Sequence, residues 1–510
     1  MPPQISRRDF LKLTGLLALV NTGLARSIRQ VGSTASNSAQ PNILIIVLDA
    51  LSARHMSVYG YPRQTTPNIS RFAERATVFH NHYSGGNFTT TGTASLLTGT
   101  LPWTHHAFNL QGTVNDLSIP RNIFNLAPPG TFTSSYTHNL LALTLLYQFR
   151  EALGELGMPR KLALSDLEYS DLVFKNDYNT AFMGENLILR GNGTKAGSLF
   201  MSLWYHRFTQ SHEKKINKEY KQQFPLKVPN QDEVYFILED AINWTIEQVK
   251  TLHQPYLAYY HFLPPHEPYT PSKDFMGIFS DNLAPPDKPE SFASEGFKQR
   301  DLNRDRRFYD QYIAYADSEF GRLVDAMQQT GALDNTYVIL TSDHGELFER
   351  GIRGHVTPVL YESIVRTPLI ISRPGVNTRQ DVFTQTSSVD LLPTIQSIYG
   401  QPVPEWCEGQ LLPTFAAQES RSGRAIIAMD SKDSPKHAPM TKGSFMVIDG
   451  NYKLLHYMDT KALSIEDELY DIQKDPEELE NLVKTHSSTA AELQNQLEQK
   501  LKQANQTYTA

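Results

Sequence analysis

The chain has 510 residues, 40% hydrophobic and 20% charged, a balance that supports a large buried core and ordinary globular structure. A net charge of −7 leaves no electrostatic basis for nucleic-acid binding, and the single Cys407 excludes an intramolecular disulfide. Stability outside the cytosol would therefore rest on packing.

The first 25 residues read as an address. Ser6-Arg7-Arg8-Asp9-Phe10-Leu11-Lys12 carries twin arginines, Leu13 to Val20 is too short an apolar run to span a bilayer comfortably, and Gly23-Leu24-Ala25 offers a small-residue cleavage site. This is a Tat-type signal, implying passage through the Tat export machinery to a periplasmic or other extracytoplasmic location in an already folded state. Residues 26–40 are polar and Ser-rich, a flexible linker. No second long apolar segment follows, so the mature chain is expected not to span a membrane.

From Pro41 to about residue 400, strands and helices alternate, the pattern of a mostly parallel sheet covered by helices on both faces. The run from Asn42 to Leu48 is wholly apolar after its first residue and closes on Asp49; the run from Tyr337 to Leu340 leads to Asp343-His344-Gly345-Glu346. Ligands bind at the carboxyl ends of such strands, and two carboxylates meeting there repel unless a cation or a proton sits between them. Taken alone, Asp343 and Glu346 also fit a helix capping box. Between these strands the spacing of Tyr309, Tyr312, Ile313, Ala316, Phe320, Leu323, Val324 and Met327 predicts a helix over 306–330. Residues 197–228 read as an insertion covering one side of the site. Residues 41–419 form the main domain. Residues 420–510, with short strands at 425–429, 444–448 and 452–457 and a helix from about Thr489, form a smaller C-terminal α+β subdomain.

Several segments, in order, resemble the sulfatase branch of the alkaline phosphatase superfamily. They are Asn42 to Asp49, Thr66-Pro67-Asn68-Ile69, Ser95-Leu96-Leu97-Thr98-Gly99, His266-Glu267-Pro268-Tyr269, Thr341 to Glu346, Gly354-His355, Leu360-Tyr361-Glu362, Val389-Asp390 and Leu469-Tyr470-Asp471. The resemblance spans nearly the whole mature chain. It implies an alkaline-phosphatase-like fold and an ester hydrolase acting on an anionic sulfate or phosphate ester.

The departures narrow that expectation. The family's nucleophile is a Cys or Ser, in a Cys/Ser-x-Pro/Ala-x-Arg motif, that is oxidised to formylglycine; the corresponding position here is Thr89, with Thr91 and Thr93 at the proline and arginine positions. No formylglycine can form there, and neither Ser84 nor Cys407 has the motif around it. Thr89 follows a Gly85-Gly86 turn and begins a helix, where the dipole and free N–H groups favour an anion. A helix N-cap is the other reading of Thr89, and Thr90 and Thr91 are register alternatives. The resemblance implies one divalent metal held by Asp49, Thr89, Asp343 and His344. Ala50 stands where a second carboxylate is usual and His344 where an Asn often is, which moves the site from calcium toward manganese or zinc, with calcium still possible.

By family position His266 would reach the substrate's charged group or the leaving oxygen, with His261 as its alternative, and His355 could do likewise. His138 stands near the place of the family's substrate-binding lysine. Loss of the family's Arg and Lys favours a singly charged phosphodiester or phosphonate ester over a dianion. A sulfatase, a phosphoryl transferase to an envelope glycan or lipid, and an inactive anion-binding relative are the other readings. Replacing Arg7 and Arg8 together by Lys is expected to strand the precursor in the cytoplasm with its mature domain folded; cell fractionation checks this, and unchanged export would rule out the twin-arginine route.

Overall fold

A computed structural model describes residues 40–164, 199–231, 234–416, 424–436, 438–458 and 465–506. The signal segment and most of the linker lie outside these residues, as does part of the stretch assigned to the insertion; within that stretch Leu199–Glu219 is helical. Pro41 onward forms one compact unit.

Eight strands and the helices between them build the main layer structure. In chain order they are β1 (Asn42–Leu48), β2 (Ala76–Phe79), helix α1 (Thr89–Thr98), β3 (Phe132–Thr137), α2 (Leu140–Gln148), β4 (Glu155–Gly157), α3 (Leu238–Thr251), β5 (Tyr256–Phe262), α4 (Gln299–Gln329), β6 (Thr336–Thr341), β7 (Leu369–Ser372), β8 (Gln380–Val382) and α5 (Leu391–Ile398). Their order across the sheet is β8-β2-β7-β6-β1-β5-β3-β4, and β7 alone runs antiparallel to its neighbours. β1 sits near the centre, paired in parallel with β5 and β6. Its unbroken apolar sequence is what such a position needs, because both of its faces are covered. Leu44, Ile46 and Leu48 pack with Tyr309 and Phe320 of α4 and Ala241 of α3. Ile43, Ile45 and Val47 pack on the opposite face with Leu96 and Leu97 of α1, Leu145 of α2 and Leu392 of α5.

The residues that predicted the helix over 306–330 are all buried along α4, which begins earlier, at Gln299, because Leu302 and the buried Asp305 and Arg306 extend the same face. The smaller C-terminal sheet is antiparallel: β9 (Ile426–Asp430), β10 (Gly443–Asp449), β11 (Tyr452–Met458) and β12 (Glu468–Asp471), followed by α6 (Ser487–Gln506). β12, at an edge of this sheet, carries the Leu469-Tyr470-Asp471 motif. Among the described residues no helix is long and apolar enough to cross a membrane.

Candidate active site

The parallel register sets the carboxyl ends of four strands level. Val47 of β1 pairs with both His261 of β5 and Thr341 of β6, and His261 pairs in turn with Thr137 of β3. The residues just beyond those pairs therefore converge: Asp49 after β1, Asp343 and His344 after β6, Asn139 after β3, and His261 itself near the end of β5. The two central turns are tied together, since Ser342 Oγ accepts from Leu51 N–H at 2.9 Å and donates to the His344 carbonyl at 2.7 Å. No helix starts at Asp343; Leu347–Glu349 and Ile352–Gly354 form a small hairpin there, so the capping-box reading falls.

Helix α1 brings Thr89 to this edge. Its N-cap is Phe88, which leaves the Thr89 hydroxyl free of capping duty. Gly92 permits the approach: a Cβ there would lie 2.1 Å from the Asp343 carbonyl oxygen. Thr89 Oγ1 is buried, 3.4 Å from His344 Nε2 and 3.1 Å from Asn139 Nδ2.

Each carboxylate is half satisfied. Asp343 Oδ1 accepts from the N–H groups of Ala50 and His344, while Oδ2 has no hydrogen-bond donor. Asp49 Oδ2 lies 2.6 Å from Asn139 Nδ2 and 3.0 Å from His261 Nε2, while Oδ1 has no donor. His344 Nε2 lies 3.5 Å from both Asp49 Oδ1 and Asp343 Oδ2, and its Nδ1 donates to the Gly345 carbonyl at 2.9 Å, which leaves Nε2 facing the carboxylates with its lone pair. Burial works against the Asp49 charge, yet His266, His261 and His344 hold its carboxyl well below the usual range.

Orphaned carboxylate oxygens beside imidazole nitrogens are a donor set for a cation. Ligand atoms about 2.0–2.2 Å from one shared ion lie about 3–4 Å from each other, the spacing seen here. Asp49, His261 and Asp343, whose donor atoms lie within 4.8 Å of one another, could hold a metal ion. His344 adjoins that group, so the residues present fit the metal implied by the sequence.

His266 is half-buried in the loop after β5, its ring centroid 4.8 Å from that of His355 and 6.3 Å from that of His344. Burial opposes its charge, but the Asp49 and Glu346 carboxylates outweigh this and raise the imidazole above its ordinary value. His355 Nδ1 is 3.0 Å from Glu346 Oε1; burial and the neighbouring His266 push it down to about 4. Asn87, in the turn before α1, donates to the carbonyls of His355 and Thr357 and so fixes that loop against α1.

One expected contact is corrected. His138 does not stand in for a lysine: its ring stacks on Phe236 with centroids 3.8 Å apart, and burial pushes it down to about 3, so it is neutral and turned into an apolar layer. Side chains alternate along and just past a strand, so Tyr136 and His138 share one face and Asn139 takes the other, toward the site. Asn139 Oδ1 caps α2 by accepting from Leu141 and Ala142 N–H, which aims Nδ2 at Asp49 and Thr89. An Asn directly before a helix was the signal for this residue.

An open, mostly parallel α/β sheet with paired carboxylates at the strand ends and a helix N-terminus facing them is the architecture of the alkaline phosphatase superfamily. Residues 41–400 match the sulfatase family, and residues 357–507 match the C-terminal region described for N-sulphoglucosamine sulphohydrolase. The chain belongs to the sulfatase family and is a sulfatase-like ester hydrolase. It is 25% identical over 469 residues to a choline-sulfatase of Rhizobium meliloti, covering 87% of this chain and 83% of that one. It is 32% identical over 190 residues to arylsulfatase K of Xenopus laevis, covering 36% of this chain and 35% of that one. In fold it resembles a phosphonate monoester hydrolase of Agrobacterium radiobacter, with a TM-score of 0.64, 18% identity, and 91% and 96% of the two chains covered. It also resembles a 2-O GAG sulfatase, with a TM-score of 0.65, 18% identity, and 92% and 94% covered.

The contact at Gly92 gives a test of this construction. Gly92→Ala is expected to push α1 away from the Asp343 turn and to lower both bound metal and turnover at least about tenfold, the order lost when a supporting contact of a metal site is removed. Metal analysis and steady-state rates on folded protein check it.

Proposed function

We propose that the protein hydrolyses a singly charged phosphate or phosphonate ester through a covalent Thr89 intermediate, with one divalent metal, zinc or manganese before calcium, held by Asp49, Asp343, His344 and Thr89. The observation that carries this reading is the Thr89 hydroxyl at the head of α1, buried between His344 Nε2 and Asn139 Nδ2 and beside two carboxylates. A Tat-type leader would place the enzyme outside the cytoplasm.

A bound cation would neutralise developing charge on the ester and ease loss of the Thr89 proton. Asn139 holds Thr89 Oγ1 by donation at 3.1 Å, which occupies one lone pair and leaves the other for the ester. The free N–H groups of the first turn of α1 face the bound anion. Thr89 Oγ1, its proton already released to solvent, bonds to phosphorus as the ester oxygen departs in line, and His266, raised above its ordinary value, supplies that oxygen's proton. Water then cleaves the Thr89 ester and returns a proton to His266. His355, locked to Glu346, donates no charge and shapes the pocket beside His266.

The preference for phosphorus rests on the hydroxyl nucleophile and on the few fixed cations. A formylglycine hydrate can release a sulfated intermediate by elimination, a route closed to Thr89. Thr93 occupies the motif's arginine position, and the His138 ring is neutral and stacked. The long match to a choline-sulfatase supports sulfuric ester hydrolysis as the second reading.

Two outcomes are expected. The isolated wild type carries one tightly bound divalent metal by elemental analysis and Asp343→Ala loses it; a fully folded, metal-free wild type would sink the site assignment. In a panel of aryl sulfates, phosphate monoesters, diesters and phosphonate monoesters, turnover of diesters or phosphonates exceeds that of sulfates. Thr89→Ala removes several orders of magnitude from kcat, and Thr90→Ala spares much of the rate. Efficient sulfate hydrolysis by the wild type would overturn the phosphorus preference, and full activity in Thr89→Ala would overturn the covalent route.

A further inference from the structure

His261 is the buried group at this strand edge to which the proposed ligand set gives no task. A histidine fully buried near the end of a central parallel strand needs partners for both ring nitrogens. It has them on opposite sides. Nδ1 lies 3.1 Å from the Tyr259 hydroxyl, two residues back on the same face of β5, and Nε2 lies 3.0 Å from Asp49 Oδ2 and 3.8 Å from Asp343 Oδ2. Where the phenol oxygen accepts from His261 Nδ1–H, Nε2 is the nitrogen left to bind a cation. That order of donation leaves the Nε2 lone pair directed at the two carboxylates, the arrangement by which an imidazole is oriented for a metal through the hydrogen bond on its other nitrogen. His344 is fixed in the same sense by the Gly345 carbonyl.

We infer that His261 Nε2 is a second imidazole ligand of the site, oriented by Tyr259 as a positioning residue, so that the donor set is two carboxylates and two imidazoles. This rests on the metal-dependent reading above and deepens it. Two neutral nitrogens in place of carboxylate oxygens lower the charge of the site and favour a transition metal over calcium, which takes six to eight oxygen ligands.

The test uses metal-depleted, folded full-length mature protein and the ions Zn2+, Co2+ and Ca2+ alone. Wild type is expected to bind Co2+ with a visible absorption band and to prefer Zn2+ to Ca2+. His261→Gln should lose more than about 100-fold in Zn2+ affinity with Ca2+ affinity unchanged, and should alter the Co2+ spectrum. Tyr259→Phe, which removes only the orienting hydroxyl, should lose about 10–100-fold in Zn2+ affinity, the usual cost of an outer partner. Should His261→Gln fail to fold, Tyr259→Phe decides. An unchanged Zn2+ affinity and Co2+ spectrum, or equal losses for Zn2+ and Ca2+ as expected of a residue that merely supports the fold, would overturn the assignment. Wild-type protein that binds none of the three ions would instead overturn the metal-dependent reading itself.

Discussion

Asp49 and Asp343 are buried side by side at the ends of adjacent parallel strands, and each keeps one oxygen without a hydrogen-bond donor. Two such charges in a medium of low polarity repel strongly, and burial removes the water that would screen them. The pair persists only if positive charge or donors are supplied from every side. The fold does this with parallel strands, whose in-register ends deliver His261, Asn139 and His344 to the same level, and with the positive end of α1, which Gly92 lets approach the Asp343 turn. The site is thus a consequence of register: a one-residue slip of β5 against β1 would turn His261 to the opposite face, away from both carboxylates.

The part of this legible in the sequence was the part written in strand grammar. An apolar run ending in a carboxylate needs no partner to be recognised, so Asp49 and Asp343-His344 could be placed before any contact was known. Thr89 could be placed at a helix start from the glycines before it, and the buried face of α4 from its three-and-four spacing. The layered, mostly parallel sheet followed from the alternation of such runs.

What was not legible depended on which face a residue takes when the surrounding letters do not alternate in polarity. Tyr259, Tyr260, His261 and Phe262 are all bulky and all buried, so nothing in their pattern says that His261 faces the carboxylates. His138 and Asn139 pose the same problem at the end of β3: the titratable residue drew the functional reading, and the amide beside it received the geometry. The departure of both the motif arginine and the lysine becomes coherent once these two are placed. Tyr259 lies against His261 and Asn139 meets Thr89, so neutral side chains from β3 and β5 line the site.

The C-terminal sheet has its part in this. The turn carrying Asp343 and His344 is followed by Gly345, whose N–H donates to the Ile364 carbonyl at 2.6 Å, and by Glu346, whose N–H donates to the Ser363 carbonyl. Gly345 is required for that closeness, because a Cβ there would lie 2.2 Å from the Ser363 oxygen. The segment Glu362–Val365 is a short helix with little stability of its own. It is held by Lys453 of β11, fully buried, whose ammonium lies 3.0 Å from Glu362 Oε1 and 2.8 Å from Glu478 Oε1, while Glu478 Oε2 accepts from Glu362 N–H. Burial opposes the Lys453 charge, but the two carboxylates outweigh it and raise the ammonium above its ordinary value, so the charge is kept. A buried pair of this kind is a weak source of net stability but a strict one of geometry, since removing either partner strands a charge in the interior. The chain from Lys453 through Glu362 and Ser363 to Glu346 and His344 connects the small sheet to the turn after β6, and the precision of the site depends on residues that lie more than 100 positions further along the sequence.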